Sequence, residues 1–366
     1  MKTLAISAVN FTEGGPLTVL RDCVAAAVTA LPGWRIIVMA HNALLLDING
    51  VEVMAFPQTK TSWLRRLVLE WQGFGRLSES IQVDLWLSLH DITPRVKARR
   101  QVVYCHNPAP FSRATWRDSW FEPKFLAFSL LYGRLYAAHI QRNYAVVVQQ
   151  DWLREEFKRR YGINRVIVAH PESYRPNPIA AQSARSLLAE KIVVFFYPSL
   201  PRCFKNFEVI GQALEILERS GQWSGSVRWT IDGTENRYAR WLRSRFGKLR
   251  SLHWIGRQSR EQMLEQYNQV DCLVFPSRAE TWGLPISEAK QAQLPLLVAD
   301  LPYARETVGS WDRVAFFPPQ DAQTLAQQMA AIVNGGNPFQ KVQGSSPTAP
   351  NASSWTELIA MLTHDL

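Results

Sequence analysis

Short apolar runs rich in β-branched and aromatic residues alternate along the chain with longer stretches whose apolar positions recur at helical spacing. Such alternation is typical of βαβ units, in which parallel strands are joined by helices that cover both faces of the sheet. Two successive series of this kind are present. The pattern therefore predicts an α/β protein with two doubly wound, Rossmann-like domains.

The first series predicts seven strands, at residues 4–9, 35–40, 51–56, 84–90, 101–105, 144–149 and 165–169. The second series predicts six strands, at residues 192–197, 227–231, 252–255, 272–275, 296–299 and 314–317. Helices fill the intervals. Two helix starts carry a capping pattern, in which a Ser oxygen and a Gln or Glu side chain satisfy free amides: Ser259 with Gln262, and Ser354 with Glu357.

An interdomain linker is predicted at residues 171–178, where three prolines occur without any periodicity. We place the domain boundary there, which gives an N-terminal domain over 1–180 and a C-terminal domain over 181–350. Residues 334–353 are rich in Gly, Pro, Ser, Asn and Gln and predict a loop. A final short helix is expected within 351–366.

Composition adds a charge asymmetry to this outline. The chain has 366 residues, of which 47% are hydrophobic, enough for two buried cores and incompatible with a disordered or collagen-like protein. Its formal net charge is +10. The first 180 residues hold 22 Lys and Arg against 14 Asp and Glu, whereas the rest hold 19 against 17. The N-terminal half is therefore expected to attract acidic partners.

The four cysteines, Cys23, Cys105, Cys203 and Cys272, are far apart and form no CxxC or zinc-finger spacing. They predict buried thiols in a reducing compartment and no metal site. The first ten residues have too short an apolar stretch for a secretory signal. No apolar run approaches the roughly 18 residues of a spanning helix. We expect a cytoplasmic protein, soluble or peripheral to the membrane.

The segment 275–289 is the most informative for chemistry. A buried strand ends at Phe275, a loop carries Glu280, and a helix begins near Pro285. Backbone amides near Trp282, Gly283 and Leu284 then lie at the positive end of the helix dipole and form a seat for a diphosphate.

Glu288 is expected in the first turn of the same helix. Its carboxylate accepts two hydrogen bonds from a ribose diol in this interpretation. Taken as an isolated pair, Glu280 and Glu288 are equally typical of a surface acid and an acid near a helix N-terminus.

Glu280 and Glu288 stand at the E-x7-E spacing of the GT-B glycosyltransferases of the large retaining family numbered four, and the intervening residues resemble its E-G-F-G-L-P-x-x-E run. Thr281 and Trp282 replace the usual Gly and Phe. The resemblance implies that Glu280 and the amides after it hold the donor sugar. It implies that Glu288 holds the nucleotide ribose.

A second stretch resembles the same family, residues 197–206, which follow the first strand of the second series. The resemblance implies that Lys205 neutralises the donor diphosphate, with Asn206 as a helix N-cap behind it. Arg202 either assists Lys205 or is a solvent-exposed side chain. The stretch 254–257 resembles the family's loop near the nucleotide base and adds Arg257 to the binding residues.

Two features of the N-terminal half belong to the predicted site. Gly14 and Gly15 follow the first strand and open a helix, so they form either a close approach to a ligand or a simple tight turn. His106 ends another strand, and the resemblance implies a contact with the donor sugar or acceptor.

His90 and Asp91 also end a strand, but no nearby residue completes a catalytic group with them. GxGxxG and GxxxxGK[ST] motifs are absent from the sequence.

The family resemblance implies a GT-B fold, with two Rossmann-like domains facing a cleft. The C-terminal domain binds a nucleotide-sugar donor, the N-terminal domain binds the acceptor, and the last helix packs back onto the N-terminal domain. The expected activity is a retaining hexosyltransferase that uses no metal and no further cofactor. The expected acceptor is a saccharide or a polyprenyl-diphosphate-linked saccharide in bacterial lipopolysaccharide O-antigen or capsule assembly.

The stretch 111–144 interleaves aromatic and basic side chains, which favours contact with an anionic membrane or, equally, an ordinary core helix. Three other functions stay open: a glycoside hydrolase using Glu280 and Glu288, a sugar-nucleotide-binding protein without turnover, and a basic nucleic-acid-binding protein. The sequence contains no recognised nucleic-acid-binding motif, so no nucleic-acid partner is expected. The nucleotide base, the sugar, the linkage and the oligomeric state are left open.

Overall fold

The computed structural model describes residues 1–12, 14–46, 48–60, 62–111, 116–170, 192–344 and 346–366. The chain forms two compact units. The N-terminal unit comprises Met1–Phe111, Leu130–Glu172 and Pro347–Leu366, and the C-terminal unit comprises Ser112–Ser129 and Ser173–Ser346. The predicted linker and the boundary near residue 180 lie outside the described residues.

The N-terminal unit is built on an eight-stranded sheet whose strands are all parallel. Its strands are β1 (Thr3–Ala8), β2 (Arg35–Ala40), β3 (Glu52–Ala55), β4 (Val83–Ser88), β5 (Ala98–Cys105), β6 (Ala145–Val148), β7 (Val166–Ala169) and the last strand of the chain, β15 (Asn351–Ala352). They lie in the order β15-β7-β6-β5-β4-β1-β2-β3.

Both faces of this sheet are apolar, which is why its strands read as nearly continuous hydrophobic runs. Leu4 and Ile6 of β1 belong to the core on one face, and Ala5 belongs to the core on the other. Helices cover both faces: α1 (Gly14–Ala30), α2 (Trp63–Val68), α3 (Phe74–Ile81), the part of α5 (Pro123–Ala137) from Leu130 onward, α6 (Asp151–Tyr161) and α13 (Trp355–Thr363). A π-helix, Leu69–Gly73, joins α2 to α3.

The C-terminal unit has a seven-stranded sheet, parallel except at one edge. Its strands are β8 (Val194–Tyr197), β9 (Ser226–Trp229), β10 (Leu252–Trp254), β11 (Cys272–Phe275), β12 (Leu296–Ala299), β13 (Trp311–Phe317) and β14 (Gln340–Val342), in the order β10-β9-β8-β11-β12-β13-β14. Only β14 runs antiparallel to its neighbour among these strands. The helices are α4 (Trp116–Phe121), α7 (Phe207–Arg219), α8 (Arg237–Phe246), α9 (Arg260–Gln269), α10 (Leu284–Gln291), α11 (Pro302–Val308) and α12 (Ala322–Val333).

These sheets confirm the predicted α/β class with two doubly wound units, and each predicted strand is present with its ends within three residues. The loop predicted at 334–353 is wrong in two places, because it contains β14 and β15. Both strands are short additions to a sheet edge. Their two or three residues are too few to show a period in the sequence.

The N-terminal domain was predicted to contain residues 112–129, which the structure places in the C-terminal unit. Charge pairs explain the difference: Asp118 pairs with Arg278, and Glu122 pairs with Arg202 at 2.8 Å. The Phe121 ring packs against Trp241, at a centroid distance of 5.2 Å. These contacts join residues far apart in the sequence, so local patterning did not reveal them.

The end of the chain packs on the N-terminal unit. Trp355, Leu358 and Leu362 of α13 are buried in the same apolar core as Leu20 and Val24 of α1. Ser354 caps this helix, since its Oγ accepts from the Glu357 amide at 3.1 Å. At the other predicted cap the reciprocal Ser259 and Gln262 bonds are both formed, which confirms the capping box.

All four cysteines are buried and unbonded to one another, as predicted. Burial raises the pKa of each thiol.

Tyr132 and Tyr136 belong to the stretch considered for membrane contact, and both are buried. No described helix is long and apolar enough to cross a membrane. Within the described ranges, no three His, Cys, Asp or Glu side chains group together in a way that would hold a metal ion.

Candidate functional site

The order of the strands indicates where each unit has a site. In the C-terminal unit, successive strands are added toward one edge of the sheet from β8 and toward the other edge from β11. In the N-terminal unit the same change of order falls between β1 and β4. Ligands of doubly wound sheets bind outside the carboxyl ends of the strands at such reversal points. The loops that follow β8 and β11 carry Lys205 and Glu280, two residues predicted from the sequence to act in catalysis.

Lys205 and Glu280 form an ion pair between Nζ and Oε1. Their side chains are 18% and 15% exposed, so the pair is largely buried but still reaches the surface. Two motifs 75 residues apart in the sequence are therefore in contact. The pair adjoins the ring of Phe275, whose centroid lies 6.0 Å from Lys205 Nζ.

The turn that carries Lys205, Cys203–Lys205, is held from several directions. The buried Tyr197 hydroxyl donates to the Lys205 carbonyl at 2.6 Å, and the Arg278 amide donates to the Phe204 carbonyl at 2.7 Å. Asn206 occupies the N-cap position of α7, but the prediction of its capping role is wrong. Its side-chain amide instead donates to the Pro276 and Pro319 carbonyls, which ties the two neighbouring loops to the Lys205 turn.

Gly283 is the N-cap of α10 and has a left-handed φ of +89°. A Cβ at this position would lie 3.3 Å from the Phe275 ring and 3.4 Å from Ile286 Cδ1. Only glycine fits both the backbone conformation and the space. The chain can therefore turn three residues after Glu280, where α10 begins. Pro285 has no amide hydrogen and the Ile286 amide donates to the Gly283 carbonyl at 2.9 Å, so the amides of Gly283 and Leu284 lead into the helix at its positive end.

Trp282 and Leu284 flank this glycine differently. The Trp282 indole Nε1 donates to Ser287 Oγ at 2.9 Å, and the Thr307 hydroxyl donates to the Trp282 carbonyl, so the indole is fixed against α10. Leu284 is exposed.

Glu288 lies in the second turn of α10 rather than the predicted first turn, because the helix begins at Leu284. Both of its carboxylate oxygens are bonded to α9. Tyr267 OH donates to Oε2 at 2.8 Å, and Arg260 donates to Oε1. Burial, together with the Glu288 charge, raises the pKa of Tyr267 well above its usual range. Tyr267 and Arg260 orient this carboxylate, and sequence reasoning missed both because they lie on another helix.

Arg202 shares the loop after β8 with Lys205, whereas Arg257 lies in a different loop. Arg202 precedes the Lys205 turn, and its half-exposed guanidinium bonds to Glu122 of the segment that follows α4. Arg257 is exposed in the loop after β10, the edge strand beyond β9.

In the N-terminal unit, the loop after β1 and the loop after β5 meet. Gly14 and Gly15 begin α1, as the sequence predicts. Just before them, the Phe11 ring packs edge-on against the His106 imidazole, with centroids 5.2 Å apart. His106 follows β5 directly, and its side chain is 20% exposed. The structure thus brings the predicted glycine turn and the predicted histidine to one edge of the sheet.

The sequence offered no nearby residue that completes a catalytic group with His90 and Asp91, and the structure brings partners to them from elsewhere in the chain. His90 Nε2 lies 2.6 Å from Ser7 Oγ, and the Arg66 guanidinium bonds both to Glu70 at 2.7 Å and to the His90 carbonyl at 3.0 Å. All of these side chains are buried. Glu70 belongs to the π-helix, a rare element that inserts an extra residue per turn and that no sequence pattern announced.

Burial sets the protonation of this cluster. It raises the pKa of Glu70 to about 7, with the Asp91 charge acting in the same direction and Arg66 opposing it. Burial also lowers the pKa of His90 well below its usual value, and Arg66 adds to that effect. The histidine is accordingly neutral at physiological pH.

Comparison with known proteins bears on the C-terminal unit most directly. Residues 180–344 match the family model described as "Glycosyl transferases group 1". The matched segment is 165 of the 366 residues and contains Lys205, Glu280 and Glu288. The match confirms the predicted resemblance to glycosyltransferases, and the Glu280 and Glu288 spacing is consistent with it.

Curated relatives include the serotype-specific mannosyltransferase WbdA of Escherichia coli, in two matches. One is 27% identical over 116 residues and covers 31% of this chain and 14% of the relative. The other is 32% identical over 82 residues and covers 22% of this chain and 10% of the relative. The matches therefore span about a tenth to a seventh of WbdA.

Solved structures share the fold over nearly the whole chain. The apo form of the lipopolysaccharide outer core galactosyltransferase WaaB has a TM-score of 0.63 at 15% identity, covering 92% of this chain and 91% of that one. Anabaena HepE in complex with UDP-glucose has a TM-score of 0.61 at 15% identity, covering 100% and 95%. These likenesses confirm the predicted GT-B fold class.

Proposed function

We propose that the protein is a retaining glycosyltransferase that moves a hexose from a nucleotide-sugar donor to a saccharide or lipid-linked saccharide. The observation that carries this proposal is the contact between Lys205 and Glu280 near the start of α10, inside the segment that matches the group 1 family model. A cation, a carboxylate and the positive end of a helix together match the parts of a sugar diphosphate.

In the proposed reaction, the acceptor oxygen bonds to the anomeric carbon as the bond from that carbon to the diphosphate breaks. The acceptor proton passes to the departing phosphate oxygen. Negative charge grows on the diphosphate, and the Lys205 ammonium and the backbone amides near Gly283, at the positive end of α10, stabilise it. Glu280 holds Lys205 in position before the donor binds. With donor bound, its carboxylate accepts hydrogen bonds from the sugar hydroxyls.

Glu288 holds the ribose of the donor in this proposal. Tyr267 and Arg260 fix its carboxylate, so little side-chain freedom is lost when the diol binds. HepE, which shares the fold, has been solved with UDP and with UDP-glucose, and this supports a nucleotide-sugar donor. Arg257 binds the nucleotide base. Arg202 binds the diphosphate after its guanidinium has released Glu122.

The proposed activity is tested by incubating the protein with a panel of nucleotide sugars and saccharide acceptors and identifying the products by NMR. The expected result is transfer from one donor, with the anomeric configuration of the sugar kept. Glu280→Gln should abolish transfer, and the matched exposed variant Glu79→Gln should not. Inversion would contradict the retaining mechanism. Donor binding without turnover would leave a non-catalytic sugar-nucleotide-binding protein.

We further propose that the acceptor is lipid-linked and belongs to surface polysaccharide assembly. WbdA is a serotype-specific mannosyltransferase and WaaB is a lipopolysaccharide outer core galactosyltransferase, and these relatives support the assignment. The basic excess of the N-terminal half suits an acceptor that carries a diphosphate. Comparison of a polyprenyl-diphosphate-linked saccharide with the free saccharide tests this point. Equal rates for the two acceptors would contradict it.

Peripheral contact with an anionic bilayer is proposed at α2. Trp63, Leu64 and Val68 are exposed there beside the exposed Arg65, and Leu64 is 71% exposed. Apolar side chains next to a cation suit the interface of an acidic membrane. Cosedimentation with phosphatidylglycerol vesicles should fall several-fold in Leu64→Ser. Binding to neutral phosphatidylcholine vesicles at the same level would contradict the role of charge.

A further inference from the structure

The loop that carries His106 is fastened by a single carboxylate oxygen. Asp91 Oδ1 accepts from the His106 amide at 2.7 Å, from the Asn107 amide at 3.2 Å and from the Tyr136 hydroxyl at 2.8 Å. The same oxygen lies 3.7 Å from His106 Nδ1. Asp91 is almost completely buried. The Asp91 side chain thus fixes the backbone of His106 and lies beside its imidazole ring.

Asp91 has a left-handed backbone with φ of +71°, which is unfavourable for a residue with a Cβ. Such a conformation persists only where the surroundings require it, and these positions concentrate at functional sites. Glycine would relieve the strain, yet it could not supply the carboxylate. The chain keeps a strained aspartate at the point where its side chain reaches the His106 loop.

Asp91 is itself fixed to β5. Its amide donates to the Tyr104 carbonyl at 3.2 Å, and the Cys105 thiol lies 3.8 Å from its carbonyl. Tyr136 extends the attachment, since its hydroxyl also lies 3.1 Å from the Asn107 carbonyl. The end of β5, the loop after β4 and α5 are thereby joined through one carboxylate.

The imidazole of His106 also packs against the Phe11 ring in a T-shaped arrangement. Phe11 is buried and comes from the loop after β1 that leads into Gly14 and Gly15. The Phe11 ring and the backbone that Asp91 fixes therefore both restrict the imidazole of His106. Its remaining exposed fraction is the part that a ligand reaches.

We propose that Asp91 is a positioning residue, whose carboxylate fixes the His106–Asn107 backbone and so sets the direction in which the imidazole meets the transferred sugar or its acceptor. This inference rests on the proposed glycosyl transfer. Asp91 does not touch the substrate, and its effect passes through His106. Loss of the Asp91 carboxylate therefore lowers turnover because the His106 imidazole is misplaced, so it impairs the same step of the reaction as loss of His106.

Three variants separate the carboxylate from the strain. Asp91→Gly removes the carboxylate and suits the left-handed backbone. Asp91→Asn keeps an oxygen that accepts from the amides. Asp365→Gly is the matched control, because Asp365 also has a left-handed φ, of +64°, and its side chain is exposed near the end of the chain.

The first measurement follows the imidazole itself, with the ring carbon and proton resonances of His106 assigned by comparison with His106→Gln. Asp91→Gly should shift or broaden these signals, Asp91→Asn should restore them in large part, and Asp365→Gly should leave them unchanged. An unaltered His106 signal in a folded Asp91→Gly protein overturns the proposal. This measurement needs no substrate, so it decides the positioning even if no sugar transfer is found.

The second measurement is a double-mutant cycle on turnover. Asp91→Gly and His106→Gln should each lower kcat about tenfold or more with little change in the donor KM, and the double variant should lose no more than the larger single loss. Additive losses would show that Asp91 acts independently of His106 and would overturn the proposal. A wild-type protein without transfer contradicts the proposed function alone.

Discussion

The two units differ in the exposure of their central ionisable groups. In the C-terminal unit, Lys205 and Glu280 meet in loops at the sheet edge and keep part of their surface open. In the N-terminal unit, Arg66, Glu70 and His90 are buried and bond to one another. The open pair is available to exchange partners with a ligand. The buried group holds structure, because replacing its internal bonds by a ligand would require opening the core.

The largest effect is expected from Lys205, the cation of the open pair. Lys205→Ala should reduce kcat about 100- to 1000-fold, the loss typical when one donor to a developing negative charge is removed. Lys205→Arg should recover part of this loss, since it restores the charge with a different shape. Steady-state rates at saturating donor test the prediction. An equal loss in Lys341→Ala, an exposed lysine on β14, would remove the distinction between the open pair and ordinary surface charge.

Gly283 tests whether the open pair depends on the turn beside it. Gly283→Ala should lower the free energy of unfolding by about 1–3 kcal/mol through left-handed strain and contact with Phe275, and should weaken donor binding as well. Gly335→Ala is the control, because Gly335 shares a positive φ but has open space around it. Chemical denaturation and nucleotide titration measure the two effects. Equal destabilisation by both variants would show that packing at Gly283 is unimportant.

Tyr267 is a buried residue that supports a partly exposed carboxylate, that of Glu288. Tyr267→Phe removes the hydroxyl that orients Glu288, and nucleotide affinity should fall about tenfold, the usual value for one hydrogen bond to a charged group. Calorimetric titration gives the dissociation constant. Tyr161→Phe in the N-terminal unit serves as the control. Unchanged affinity in Tyr267→Phe would mean that Glu288 needs no orientation from the Tyr267 hydroxyl.

The smallest effect is expected from the pH dependence of the buried group. Glu70 keeps a proton up to about pH 7 in the folded protein, whereas the unfolded chain releases it near its ordinary pKa of 4.5. Its contribution to stability is therefore present at low pH and is lost as the pH rises toward 7.

Glu70→Gln removes this loss. The melting temperature of the variant relative to wild type should accordingly rise by a few degrees between pH 5 and pH 7.5. Melting curves at the two pH values measure it, with the exposed Glu79→Gln as control. A relative melting temperature that stays constant or falls would contradict the assignment of a raised pKa to Glu70.

The sequence predicted those features that depend on local patterns. Lys205 and Glu280 were identified because each follows a predictable strand within a short motif, and neighbouring parallel strands bring their carboxyl ends together. Glu70 was missed because its place depends on a π-helix. The partners of Asp91 were missed because they come from β5 and α5, at distances along the chain that no single window contains. Glu122 and Asp118 were likewise assigned to the wrong unit because long-range ion pairs decide their place.

The proposed donor site at Lys205, Glu280 and Glu288 is tested most directly by calorimetric titration of the protein with a panel of nucleoside diphosphates. The account predicts micromolar binding of one nucleotide, weakened at least tenfold in both Lys205→Ala and Glu288→Gln and unchanged in Lys341→Ala. Absence of binding by every nucleotide to the folded wild-type protein would contradict it.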